Sequence, residues 1–375
     1  MQKLTDETLI RKNNMKIFPW YKMLSWDLLF FYSISFLFLV DIKGLTPAQV
    51  ILVDAFYPLF KFILQPFCTI IVKKIGKRNS LIFANSMVNV YLFDGITSLF
   101  TGFTYVINPY LPIIISLLIN IIATILSYRL CEIPKTSTEK LKSKSTTSIS
   151  QSFKDFFKDF KYGFRYVLKS DRLRSLITIY SLFYGILALT LTLRRSLLKE
   201  LDVSAEYFGI IFAVMGIIAA ISANRQNWFN KKFKNRTLTV LIVPYCVSCI
   251  LLGFVAIFKT DPKSLFTTVM LIFALQYIIR GPFHTIIKRY LNNFSTTKAR
   301  NKIYSITTFF ESLVASLIAV IGSIIVEYSN SAYAFMVIGI ISTACVLLLL
   351  KYMKTRVGLK PEEYKRSEIE MLNLK

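Results

Sequence analysis

Seven side chains capable of carrying charge or of strong hydrogen bonding lie inside stretches that are otherwise apolar: Asp54, Lys61, Asp94, Tyr184, Arg280, His284 and Glu311. An ionisable group surrounded by hydrocarbon is costly, so each such residue defaults to a place on a solute or ion path, with a named partner. Lys61 lies about 12 residues from the inner end of its helix, and Asp94 about 15 from the inner start of its own. At ~1.5 Å per residue their depths differ by ~5 Å, so a Lys61–Asp94 pair is expected. Arg280 and Glu311, each about 8 residues from the inner ends of adjacent helices, make a second expected pair. Asp54 shares a helical face with Lys61 and offers a cation or proton site nearer the outside. His284, the only histidine, sits one turn from Arg280 and suits a proton relay. Tyr180 and Tyr184, one turn apart, either line a cavity or simply pack. The plainer reading of the charged pairs is that they lock helices together and move nothing.

Catalysis finds little support. One histidine, with no Ser/His/Asp constellation, leaves no enzyme to propose. No Gly-rich phosphate loop exists, so the chain is not by itself an ATP-driven pump, and no cofactor is implied. The cysteines are Cys68, Cys131, Cys246, Cys249 and Cys345. Cys246 and Cys249 form a C-x-x-C without a second ligand pair, which points to buried small residues rather than to a metal.

The elements that must hold these groups are membrane spans. The chain is 54 % hydrophobic over 375 residues, yet its formal net charge is +25. Its apolar residues form long blocks divided by short basic clusters, several of them reaching the ~20 residues a bilayer-crossing helix requires. Helices satisfy every backbone amide internally, and β-barrel alternation is absent. Ten spans are predicted: 24–40, 46–72, 79–107, 111–128, 174–193, 205–224, 237–258, 265–287, 303–326 and 332–350. Thr46 caps the second, with Pro47 in its first turn. The third, 79–107, measures roughly 44 Å at ~1.5 Å per residue against a ~30 Å core. It reads as one tilted or kinked helix bent at Asp94-Gly95. With the N-terminus inside, about 38 of the Lys and Arg residues fall on the cytoplasmic side and about 6 outside. The basic balance therefore reports topology in a cell membrane, with both termini cytoplasmic, and not nucleic-acid binding.

Between the fourth and fifth spans, a Lys/Ser/Thr-rich linker leads into Phe153, Phe156, Phe157, Phe160, Phe164, Val167 and Leu168. Their 3–4 residue spacing, with Lys154, Lys158, Lys161 and Arg165 between, predicts an amphipathic helix on the inner leaflet. A calmodulin-type target helix is the alternative.

The chain also repeats itself. Lys73-Lys74-Ile75-Gly76-Lys77-Arg78 recurs as Lys231-Lys232-Phe233-Lys234-Asn235-Arg236, and each preceding helix opens on a hydroxyl residue, Thr46 and Ser204. Both landmarks are offset by 158 residues, as expected of parallel repeats between transporter halves. The last spans of the halves end near Arg129 and Lys351, an offset of 222. The first half is thus short by about 60 residues, or two spans with their loops.

With these features the chain resembles the major facilitator superfamily, over nearly its whole length. The family's turn signature is a Gly, an Asp-Arg pair and then Gly-Arg-Arg. Gly76, Lys77 and Arg78 match its end, Lys74 stands for the Arg, Lys73 replaces the Asp, and Thr69 occupies the leading Gly position. The acid of the usual gating network is therefore missing from this turn. Lys231, Lys232 and Arg236 form the second gating turn by the same resemblance. Arg280-Gly281-Pro282 onward to Lys288-Arg289-Tyr290 looks like the tenth helix of bacterial members. Residues 79–91 resemble the third helix and 94–107 the fifth, which leaves no fourth. The resemblance implies an all-α, polytopic membrane protein. Its parts would be a shortened N-terminal bundle (1–131), a cytoplasmic linker (132–172), a six-helix bundle (173–353) and a tail (354–375). It implies secondary active transport of a small solute by alternating access, coupled to an ion or proton, by a monomer in the lipid bilayer. The alternative is a chain that kept this architecture and lost transport.

Overall fold

A computed structural model describes residues 2–24, 31, 33–81, 100–128, 149–233, 236–259, 261–293 and 300–356. Among these residues every regular element is helical. We number the main helices α1 (Gln2–Leu24), α2 (Pro47–Leu81), α3 (Leu111–Tyr128), α4 (Ile149–Lys169), α5 (Asp171–Glu200) and α6 (Ala205–Asn224). They continue with α7 (Gln226–Phe233), α8 (Thr237–Phe258), α9 (Pro262–Asn293), α10 (Arg300–Tyr328) and α11 (Ser331–Arg356). A short π-helical turn, Phe38–Ile42, precedes α2. Seven described helices are long and apolar enough to cross a membrane: α5, α6, α8, α9, α10, α11 and the segment of α2 from Pro47 to Leu64. The chain is a multi-span membrane protein.

Local chemistry explains where these helices begin. Thr46 and Gln49 form a reciprocal capping box: the Thr46 amide donates to Gln49 Oε1 at 3.0 Å, and the Gln49 amide to Thr46 Oγ1 at 3.2 Å. Asp261, ahead of Pro262, accepts from the Ser264 amide at 3.0 Å and starts α9 in the same manner. Asn330 does so for α11, through the Tyr333 amide at 3.0 Å. Ser204 stands at the N-cap of α6 but makes no side-chain capping bond, so only half of the sequence repeat is matched by cap geometry.

The described residues fall into two compact units, and α2, α4 and α6 each contribute a segment to both. In the first unit α1 packs on α3. Polar groups on α3 bond back to carbonyls of its own helix: Ser116 to Pro112 at 2.8 Å and Thr124 to Asn120 at 2.8 Å. Its Leu117, Leu118, Ile121, Ile122 and Ile125 are exposed, a face suited to lipid.

The second unit is built around α5, which is largely buried among α9, α10 and α11, while α8 packs on α9 and α11. Small residues let these backbones approach closely, as membrane helices require. Ser323 and Ser316 of α10 donate to the carbonyls of Ala48, at 2.8 Å, and Ala55, at 2.5 Å. Both pairs are seven residues apart and run in opposite directions, so α2 and α10 are antiparallel.

Several sequence expectations change. The basic run Lys73–Arg78 is no turn, because α2 stays helical to Leu81. Lys and Arg are good helix formers and Gly76 alone is too small a penalty to break the helix. Lys231 and Lys232 likewise belong to the last turn of α7, where Lys232 Nζ lies 4.7 Å from the Trp228 ring centroid. The aromatic helix α4 meets protein as well as any membrane surface. Phe160 meets Phe309 of α10 edge-on at 5.6 Å, Phe164 stacks on Phe310 at 6.1 Å, and Lys302 bridges to Asp159 at 2.9 Å. Helix α5 runs to Glu200, seven residues beyond the predicted end of that span. Residues 25–30 and 32 of the first predicted span, 82–99 of the third, the linker at 129–148 and the tail from 357 lie outside the described residues.

Candidate functional site

The strongest polar feature of the second unit arises from that extra length of α5. Arg194 and Arg195, which charge counting puts at the edge of the membrane, are 0 % and 4 % exposed. Leu191, Leu193, Leu197 and Leu198 carry the apolar pattern past them, so the helix buries both guanidinium groups. Arg194 Nε donates to Gln276 Oε1 of α9 at 2.9 Å, and Nη2 donates to the Tyr245 hydroxyl of α8 at 2.5 Å.

Arginine only donates, so the remaining protons can be assigned. Tyr245, accepting from Arg194, gives its own proton to Thr190 Oγ1 at 2.6 Å, and Thr190 donates to the Leu187 carbonyl. Gln276 Nε2 donates to Ser248 Oγ at 3.0 Å, and Ser248 donates to the Tyr245 carbonyl. Both relays end on helix carbonyls and neither contains an acid. The rings of Phe273, Tyr277 and Tyr245 surround the guanidinium at 5.7, 5.0 and 6.0 Å. Cys246 and Cys249 are free thiols, both buried, and Gln276 Nε2 also approaches Cys249 Sγ at 3.6 Å. No group of three His, Cys, Asp or Glu side chains among the described residues could hold a metal ion.

The residues expected from the sequence are distributed around this cluster. Arg280, one turn along α9 from Gln276, places its guanidinium 5.5 Å from the centroid of the Tyr277 ring, which Arg194 also faces. The next turn carries His284, whose ring meets those of Tyr180 and Tyr184 edge-on at 6.4 and 6.0 Å. Arg280, His284 and Tyr184 are therefore brought into one region of the unit. Glu311 is half-buried on α10. Asp54 accepts from Thr192 Oγ1 of α5 at 2.5 Å, with Arg195 as its charged neighbour. Lys61 lies on α2, but its side chain and the whole of Asp94 fall outside the described residues, as do the side chains of Lys74, Lys77 and Arg78.

Helix α9 does not break at Gly281-Pro282. Pro282 has no amide to give the Ile278 carbonyl, and Ser222 of α6 supplies the missing donor at 2.5 Å. Gly281 allows that approach, since a Cβ there would overlap the Ala219 carbonyl oxygen. Beside this contact, Trp228, Phe229, Ile218, Ile221 and Arg225 line an open, mostly apolar cleft of about 380 Å³.

Sequence reasoning missed Arg194, Tyr245 and Gln276. The signal was present in Leu197 and Leu198, two apolar residues beyond the Arg pair that continue the buried face of the helix.

No curated protein matches the chain. Residues 197–371 match the family model described as Major Facilitator Superfamily, covering α6 through α11 and the end of α5. That match, together with the array of membrane-crossing helices, makes residues 197–371 similar to the major facilitator superfamily.

Proposed function

We propose that the protein is a secondary active transporter that moves a small solute by alternating access, driven by a proton or ion gradient. The carrying observation is the buried polar core of the second unit, in which Arg194, Tyr245 and Gln276 connect three different apolar helices. A charge so far from water is expensive to keep, and it persists in membrane proteins where a pathway uses it. In this reading helix bundles rock about a site near the membrane midplane. Asp54, with Arg195 beside it, and His284, beside Tyr184 and Arg280, are candidate coupling groups. Lys61, Asp94 and Glu311 are candidate partners on the same path, while the basic segments at Lys74–Arg78 and Lys231–Arg236 close one face.

The two termini lie in the cytoplasm of a cell whose plasma membrane holds the protein as a monomer. The chain comprises an N-terminal bundle of 1–131 lacking two spans, a 132–172 linker, a six-helix bundle of 173–353 and a 354–375 tail. The charge asymmetry and the 158-residue repeat offset support that arrangement.

Uptake into proteoliposomes tests the function. With an imposed proton gradient, a panel of organic acids, amines, sugars and peptides should include at least one solute accumulated by the wild-type protein. Arg280→Ala should lower its initial rate at least 10-fold without changing protein recovery. No uptake of any solute by correctly folded protein would leave a transporter architecture that no longer transports.

A further inference from the structure

The chemistry of the Arg194 cluster goes further than transport as such and, resting on the proposed function, defines the class of solute. We propose that Arg194 is an oxyanion-binding residue, and that the solute carries a carboxylate or phosphate group which docks on it between α5, α8 and α9.

Three observations lead there. First, no acid among the described residues neutralises the charge of Arg194. Its partners among the described residues are a carboxamide, a phenol and three aromatic rings, and none is an acid. Second, one nitrogen remains unused. Nη1 is buried and has no hydrogen-bond partner among the described residues, although Nε and Nη2 are both engaged. A guanidinium presents its donors as a rigid planar fork matched to oxyanions, so an open Nη1 beside an occupied Nη2 leaves one prong facing a missing acceptor. Third, a second cation is close by. Arg194 and Arg280 lie 5.0 and 5.5 Å from the same Tyr277 ring centroid, so the two guanidinium carbons are no more than 10.5 Å apart. The second guanidinium on this ring puts a further hydrogen-bond fork within reach of an anion docked on Arg194.

The relays explain why this site would bind and release rather than lock. Nε and Nη2 are fixed by Gln276 and Tyr245, which orient the fork in advance without cancelling its charge. An internal carboxylate in that place would hold the helices shut through a buried salt bridge. Neutral partners leave the electrostatic gain for the solute.

The test measures binding on the detergent-purified full chain, separately from flux. Acetate, succinate, inorganic phosphate and a phosphate monoester are titrated against size-matched amides, alcohols and amines, and thermal stabilisation is read. At least one oxyanion should raise the unfolding temperature with saturation, and the neutral and cationic analogues should not. Arg194→Gln should weaken its apparent Kd at least 10-fold. Arg194→Lys, which keeps the charge but not the fork, should retain weaker binding, and it serves as the folded control if Arg194→Gln recovers poorly. The carboxylate and phosphate arms distinguish the two kinds of group. If no oxyanion stabilises the wild type, the charge is met within the chain and the proposal fails. It fails equally if Arg194→Gln binds the anion as tightly as wild type. Saturable anion binding without flux would instead overturn transport and leave this assignment standing.

Discussion

Gly281→Leu is expected to be the most damaging single substitution in the second unit. Even the first added carbon would overlap the Ala219 carbonyl oxygen and lie 3.0 Å from the Ala223 amide nitrogen, so α6 and α9 must separate. Both obstructing atoms are backbone and cannot rotate away. Overpacking of this kind costs about 1–3 kcal/mol even where the structure adapts. Here separation also breaks the Ser222–Ile278 bond, which replaces the amide that Pro282 lacks. The carbonyl left without a donor adds about 1–3 kcal/mol to that, so the total should reach about 2–6 kcal/mol. Thermal denaturation in detergent, followed by size-exclusion fluorescence, should show little or no monodisperse protein. Ser222→Ala, which removes the bond but keeps the approach, should lower stability by only about 1–3 kcal/mol. If Gly281→Leu were as stable as wild type, the α6–α9 contact described above would be wrong.

Removing the partner of Arg194 should be worse than removing Arg194 itself. Gln276→Leu takes away the acceptor at 2.9 Å and leaves a fully buried guanidinium with Tyr245 as its remaining hydrogen-bond partner among the described residues. Losing a hydrogen bond to a buried charge costs about 1.5–3 kcal/mol, and the desolvation penalty of the cation stays in full. Arg194→Met removes the charge together with its desolvation penalty. Tyr245 keeps its bond to Thr190, and Gln276 keeps its bond to Ser248, so only Gln276 Oε1 is orphaned. That loss is about 1–3 kcal/mol, partly offset by the gain from no longer burying a cation. Chemical denaturation of the two variants side by side should therefore rank Arg194→Met as the more stable. The reverse order would mean that the cation contributes net stability, and that its cage of rings solvates it better than water does.

These contrasts show which features were legible in the sequence. Span positions were, because bilayer thickness imposes a length on any apolar block: 205–224 and 237–258 coincide with α6 and α8. The cap at Thr46 was legible because a hydroxyl, a proline and a glutamine three residues on define a local motif. The burial of Arg194 was not. A charge near the end of an apolar run reads as a boundary, and only packing by three other helices shows that the helix continues. Gly281 misled in a related way: beside proline it suggests a bend, whereas its actual use is to admit another backbone. The aromatic face of α4 was correct as an amphipathic pattern, but periodicity cannot tell lipid from the side of α10. As for the candidate site, helix pitch relates Arg280 to His284 along α9 and Tyr180 to Tyr184 along α5, but the edge-on contact of His284 with both tyrosines depends on how the two helices pack. Tyr245 and Gln276 were invisible, since an uncharged polar residue in a span carries no distinguishing mark.

The most direct test of transport by alternating access is whether the buried cluster meets water from each side in turn. Ser248, which accepts from Gln276 within the cluster, can be replaced by cysteine in a chain whose own five cysteines are changed to serine or alanine. A membrane-impermeant thiol reagent is then applied to sealed vesicles from one face or the other. Ser248→Cys is predicted to react from both faces, at rates that a bound solute shifts in opposite directions. Reaction from one face alone, or from neither, while the unfolded protein reacts fully, would contradict the mechanism.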